Sequence, residues 1–236
     1  MVNSAPLRSQ FNQGLRAVQD DLLRMGGLLD TAIAQAIQCL AERDLDLARR
    51  VVVDDAKVNA MRFKIEQDCV TLIATQQPAA TDLRFLVAAM NIISDMERMA
   101  DHAAGIAKIV LRMGDQPLLK PLIDLPRMAD EVRGMIHTAL DAYVTRDVDL
   151  ARSIAKRDDV VDALYEQIFR ELITFITEDP HTTTRALYLM FTAHNLERIG
   201  DRAVNIAERT IFIASGEMKE LNDTSFRKVK NQMKLS

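Results

Sequence analysis

Apolar residues recur at three- and four-residue intervals along most of the chain, the spacing of one face of an α-helix. Leu15, Val18, Leu22, Met25, Leu29, Ile33 and Ile37 mark the first such stripe and predict a helix from about Ser9 to Ala41. A second follows from about Leu45 to Thr75, ending before the segment QQPAATD. A third, from about Thr81 to Met113, carries Phe85, Ala89, Ile92, Met96, Met99, Ala103, Ile106 and Val110 on one face, with Thr81 or Asp82 placed to cap it. The segment GDQPLLKPLIDLP holds three of the six prolines and breaks the pattern, so it reads as a linker. Three further helices are predicted at about Pro126 to Thr145, Asp147 to Thr177 and His181 to Ser215.

The pattern is written twice. ERMADHAAGIA, Glu97 to Ala107, returns 100 residues later as ERIGDRAVNIA, Glu197 to Ala207. RDLDLARRVVVDDAKVNAM, from Arg43, returns 103 residues later as RDVDLARSIAKRDDVVDAL, from Arg146. The expected architecture is therefore all-α: two tandem three-helix bundles related by internal duplication. Their bounds are 7–113 and 126–217, with a linker at 114–125 and a basic, polar tail at 218–236.

Composition agrees with an all-helical chain, since 8 Gly, 6 Pro and no Trp stand against abundant Ala, Leu, Met and Glu. A net charge of −4, with the signs interspersed, gives no reason to expect a nucleic-acid partner. No apolar run approaches the roughly 20 residues that span a bilayer, and the N-terminal stretch lacks a signal-peptide pattern. A cytoplasmic location is expected. Cys39 and Cys69 fall within apolar helical stripes without metal-ligand spacing, as buried thiols do.

The repeated acidic residues carry the candidate chemistry. Residues four apart on a helix project side by side, so Glu97 lies beside Asp101 and Glu197 beside Asp201, at the edge of the apolar stripe. The second helix of each half carries a related pair, Asp55 with Asn59 and Asp158 with Asp162. Carboxylates gathered where such faces meet repel one another unless a hard, oxygen-seeking cation joins them. The bland alternative is a solvated face laced by Arg98 and Arg198.

Other readings fail on particular residues. DDVVD, Asp158 to Asp162, has the DDxxD form of a magnesium-diphosphate site, yet its repeat partner is DAKVN. A di-iron bundle needs Glu-x-x-His on two helices, and the chain contains none. His102 and His194 read as solvated or edge residues, because Arg202 and Ser94 stand at their repeat positions. No catalytic constellation is present, so no enzymatic activity is expected.

Together the ER-x-x-D segments followed by Ile-Ala, the D-x-x-V-[ND] segments, RMGG at Arg24 to Gly27 and QQPAATDLR at Gln76 to Arg84 resemble the PhoU family from about Leu7 to Gly216. That resemblance implies a cytoplasmic, homodimeric, non-enzymatic negative regulator of phosphate uptake and of the phosphate-starvation regulon. It implies an adaptor between a phosphate-specific ABC transporter and a sensor histidine kinase. It also implies metal ions (iron, manganese, magnesium or zinc) held by Glu97, Asp101, Glu197 and Asp201, with Asp55, Asp158 and Asp162 completing the sets. Asn59 departs from the pattern, so fewer or weaker ions are expected in the first half. The rival expectation is a metal-storage or metal-dependent helical protein using the same carboxylates.

Overall fold

A computed structural model of the chain describes residues 4–217 and 220–221. The expected tail at 218–236 lies outside the described residues apart from 220 and 221. Six helices follow one another: α1 (Ser4–Glu42), α2 (Leu45–Gln76), α3 (Ala80–Met113), α4 (Asp124–Thr145), α5 (Val148–Glu178) and α6 (Thr183–Ser215). A single 3₁₀ turn at Pro180–Thr182 leads into α6, and no strand occurs among the described residues.

The duplication is visible first in the turns. Arg43 and Arg146 both adopt left-handed backbone, φ 57° and 58°, at the ends of α1 and α4. The next amides reach back, Asp44 N–H to Cys39 C=O and Asp147 N–H to Ala142 C=O, each 3.0 Å, which closes both helices in the Schellman manner. The Asp44 and Asp147 carboxylates then accept two amides each at the starts of α2 and α5. One Arg-Asp dipeptide thus ends one helix and begins the next, twice.

The start of α3 differs from expectation. Neither Thr81 nor Asp82 caps it; the helix begins one residue earlier, and Ala79, with no side-chain cap bond, occupies the N-cap. Asp82 falls inside the first turn, where its charge complements the helix dipole.

Helices α1–α3 pack as one three-helix unit and α4–α6 as another, but the most extensive pairing of all is α3 on α6, between the halves. One continuous apolar cluster runs through both units, and α3 is buried around much of its girth, from Phe85 and Leu86 to Val110 and Met113. Polar bonds across the seam obey the repeat. Asp95 accepts from Arg202 (3.0 Å) and Asn205 (3.2 Å), while its equivalent Asn195 is bonded to His102 Nδ1 (2.9 Å) and faces Gly105. Arg133 grips Asp30, its own repeat equivalent, with two bonds of 2.8 and 2.9 Å. The halves are therefore related by a pseudo-twofold axis passing between α3 and α6. His102 is a half-buried seam residue rather than the solvated one expected.

Candidate functional site

Each ER-x-x-D segment lies near the middle of its helix, close to the pseudo-twofold axis. In the second half, Glu197 is largely buried and Asp201 half-buried on α6, while Asp158 is buried and Asp162 exposed on α5. Asp158 sits under the α5–α6 contact, where a Cβ added at Gly200 would lie 3.4 Å from Val161 and 3.8 Å from Asp158 Oδ1. Burial, followed by the charges of Asp201 and Asp162, pushes the Glu197 carboxyl up to about 7 against the pull of Arg198. Arg198 bridges the pair, its Nη1 2.9 Å from Asp201 Oδ2 and its Nε 3.3 Å from Glu197 Oε2. That buried Oε2 nevertheless has no hydrogen bond of good geometry. His194 Nδ1 stands 3.8 Å from the same oxygen, and burial, then Arg198 and His102, hold the imidazole below its usual range.

The first half is built alike and polarised less. Glu97 is partly buried on α3, Asp101 is exposed, and Arg98 reaches both at 3.6 and 3.4 Å. Across on α2, Asp55 accepts from Asn59 Nδ2 at 3.1 Å. Burial and then Asp101 raise the Asp55 carboxyl, while Lys108 and Asn59 pull it back. In the second half Asp162 replaces Asn59 and supplies another negative charge instead of a donor.

The two faces in each half lie within electrostatic reach of each other, Asp55 on α2 of Asp101 on α3 and Asp162 on α5 of Glu197 on α6. They stop short of convergence: among the described residues no three His, Cys, Asp or Glu side chains come close enough to share one ion. The donor chemistry fits a hard cation better in the second half. There the set is all oxygen, carries an excess of negative charge and contains a buried carboxylate oxygen without a hydrogen bond. Glu197, Asp201 and Asp162 are the residues that would hold it, once Arg198 swings away. Reading the sequence alone found the lacing arginines, which follow each Glu directly, but not how deeply Glu197 is buried beside Arg198. It also missed the seam contacts of Asp95 and Asn195, for which the only signal was their 100-residue equivalence.

A family profile described as the PhoU domain matches the chain twice, over residues 22–110 and 125–210. A phosphate-specific transport system accessory protein PhoU homolog of Pseudomonas putida is 37% identical, the match covering 89% of this chain and 82% of that protein. The crystal structure of PhoU from Pseudomonas aeruginosa superposes with a TM-score of 0.83 at 36% identity, over 88% of this chain and 100% of that one. The phosphate transport system regulatory protein PhoU from Streptococcus pneumoniae superposes at 0.82 and 30% identity, over 89% and 99%.

Proposed function

The chain belongs to the PhoU family, and on that premise we propose that it restrains phosphate uptake and keeps the phosphate-starvation regulon off when phosphate is plentiful. It does so as a cytoplasmic, homodimeric adaptor between a phosphate-specific ABC transporter and a sensor histidine kinase, without catalysis of its own. The observation that carries this reading is the match of both repeats over nearly the full length of relatives named for phosphate transport. Exposed apolar side chains on the second half, Phe169 and Ile173 on α5 and Leu187 and Phe191 on α6, support a protein that works by docking. Among the described residues no helix is long and apolar enough to cross a membrane, so contact with a transporter is made from outside the bilayer.

Metal ions belong to the same proposal. Glu197, Asp201 and Asp162, with Asp158 beneath them, hold ions in the second half, and Glu97, Asp101 and Asp55 hold fewer in the first. A bound cation neutralises a crowded carboxylate patch and releases Arg198, which changes the charge that a partner meets. The second reading, a metal-storage or metal-dependent protein, draws on the same unbonded Glu197 oxygen. Turnover of Fe(II) with oxygen by the purified protein would favour it.

The test is a phosphate-starvation reporter read in phosphate-rich medium after deletion of the gene. The expected result is derepression, silenced again by the wild-type gene but not by one with Glu97, Asp101, Glu197 and Asp201 all changed to Ala. Silencing by both genes would keep the phosphate role and remove the function of the carboxylates. A reporter silent after deletion would overturn the phosphate role.

A further inference from the structure

The two halves differ sharply at one equivalent place, between the first and second helix of each unit. In the second half Arg157 of α5 lies across α4. Its Nη2 and Nε donate to Glu131 Oε2 at 3.0 and 3.3 Å, and its Nη1 donates to the Thr138 hydroxyl at 3.3 Å. The guanidinium fills the space above Gly134, where any added Cβ would collide with it. Glycine at 134 makes room for the arginine.

In the first half the 103-residue offset puts Asp54 in place of Arg157, Thr31 in place of Gly134, Gln35 in place of Thr138 and Leu28 in place of Glu131. Packing confirms the correspondence. Asp158 and Val161 lie against Gly200, just as Asp55, Val58 and Ala100 line one common cavity. That cavity, about 160 Å³, also has Leu28, Thr31, Gln35 and Asp54 on its walls. It is several times the roughly 30 Å³ that a water occupies in the liquid. Where the second half is plugged by its own cation, the first half has a hole with a carboxylate at its rim.

Lys57, which lines the cavity together with Asp55, already pairs with Asp54 Oδ1 at 2.7 Å, but both side chains are about half exposed, so the pair is weak and open to exchange with a better-matched cation. The cavity offers the Asp54 carboxylate, the Gln35 amide oxygen and the Thr31 hydroxyl, whose proton is already given to Gly27 C=O at 2.8 Å. All three are therefore able to accept. Apolar walls from Leu28, Val51 and Val58 suit an aliphatic stem. A guanidinium is planar, weakly hydrated and forked, which matches a carboxylate at a confined rim better than a compact, strongly hydrated ammonium does.

We propose that this cavity receives an arginine side chain from a partner protein, supplying to the first half in trans what Arg157 supplies to the second half in cis. The chemistry of the cavity stands independently of the phosphate reading, and purified full-length protein tests it directly. The methyl groups of Leu28, Val51 and Val58 report on the cavity by NMR. Titration with N-acetyl-arginine methylamide should move them saturably, and the neutral citrulline analogue should bind about tenfold more weakly or worse, the loss of one charged hydrogen-bond pair. Asp54→Asn should abolish the preference for arginine while the Val132 and Val161 methyls of the second half stay in place. Leu28→Glu, Thr31→Gly and Asp54→Arg combined rebuild the plug, carboxylate included, and should abolish the response of the Val51 and Val58 methyls altogether. Unmoved methyls, equal responses to arginine and citrulline, or an Asp54→Asn protein that titrates like wild type would each overturn the proposal. So would a shift of the same methyls in unliganded Arg227→Gln protein, because the chain's own basic terminus would then be the occupant.

Discussion

At the scale of single residues, Glu197 concentrates what is unusual here. Its carboxyl is held at about 7 while an unfolded chain returns it to its ordinary value near 4.5. Between those limits the folded protein keeps a proton that the unfolded chain has released, so stability falls as pH rises through the window. In chelator-treated protein, Glu197→Gln should flatten that slope and raise stability at pH 8, by on the order of 2 kcal/mol once the group's partial contact with solvent is allowed for. Melting temperatures from pH 4.5 to 8 check this, and an unchanged slope in the variant would contradict it. Manganese added at pH 8 should raise the melting temperature of wild type and leave the variant where it is, since a cation takes over the role of the proton. The acidic pairs were legible because four-residue spacing fixes which side chains are neighbours on a helix. The arginines that follow each Glu were legible as lacing partners too; the depth of Glu197 was not, because spacing alone does not say how far the neighbouring helix covers an edge position. Asp158 was legible as the partner of Asp162, but only its place beneath Gly200 explains its burial.

Among the elements, the Arg-Asp turns explain why both first helices stop where they do. Asp44 and Asp147 each satisfy two otherwise orphaned amides, so Asp44→Ala and Asp147→Ala should each cost about 1 kcal/mol. That corresponds to roughly 2–4 °C in melting temperature for a chain of this size. The two turns are distant and share no partners, so the double variant should show the sum. Arg43 pays for left-handed backbone that glycine adopts freely, and Arg43→Gly should be neutral or stabilising by up to about 1 kcal/mol. Arg146 is different, because its guanidinium also lies 5.2 Å from the centre of the Phe85 ring, and part of any gain there should be lost. Thermal unfolding of the four variants separates these effects. Helix number and the order of the elements could be read from periodicity; the aspartate caps were not read, although an Asp just before each stripe is the residue type that caps. The start of α3 could not be read: after Pro78 the chain turns helical before the first polar side chain arrives, and a cap recognised by its hydroxyl or carboxylate was sought too late.

For the whole molecule the decisive feature is the seam. The repeat announces two similar units, and six helical stripes announce the contents of each, but the repeat alone would permit two bundles strung on a linker. The breadth of the apolar surface on α3 was a sign that it faces more than α1 and α2. Its small residues Ala88, Ala89, Ala100, Ala103, Ala104 and Ala107 are buried together with the larger ones. Sequence shows such breadth without saying which partner takes it up, because equivalent stripes on α3 and α6 are complementary only once the pseudo-twofold axis is known. A helix buried over so much of its surface cannot be left half-covered without exposing a large apolar face to water. Either half expressed alone should therefore be aggregated or loosely packed, and the full chain should unfold in one cooperative transition despite its two repeats. Asp95→Ala leaves Arg202 and Asn205 half-buried without their acceptor, and should lower the stability of both halves together by about 1–3 kcal/mol. Calorimetry on the full chain, with helix content measured on the separated halves, checks this. Two resolved transitions, or a half that folds alone with native helix content, would show that the seam joins two autonomous domains rather than completing one core.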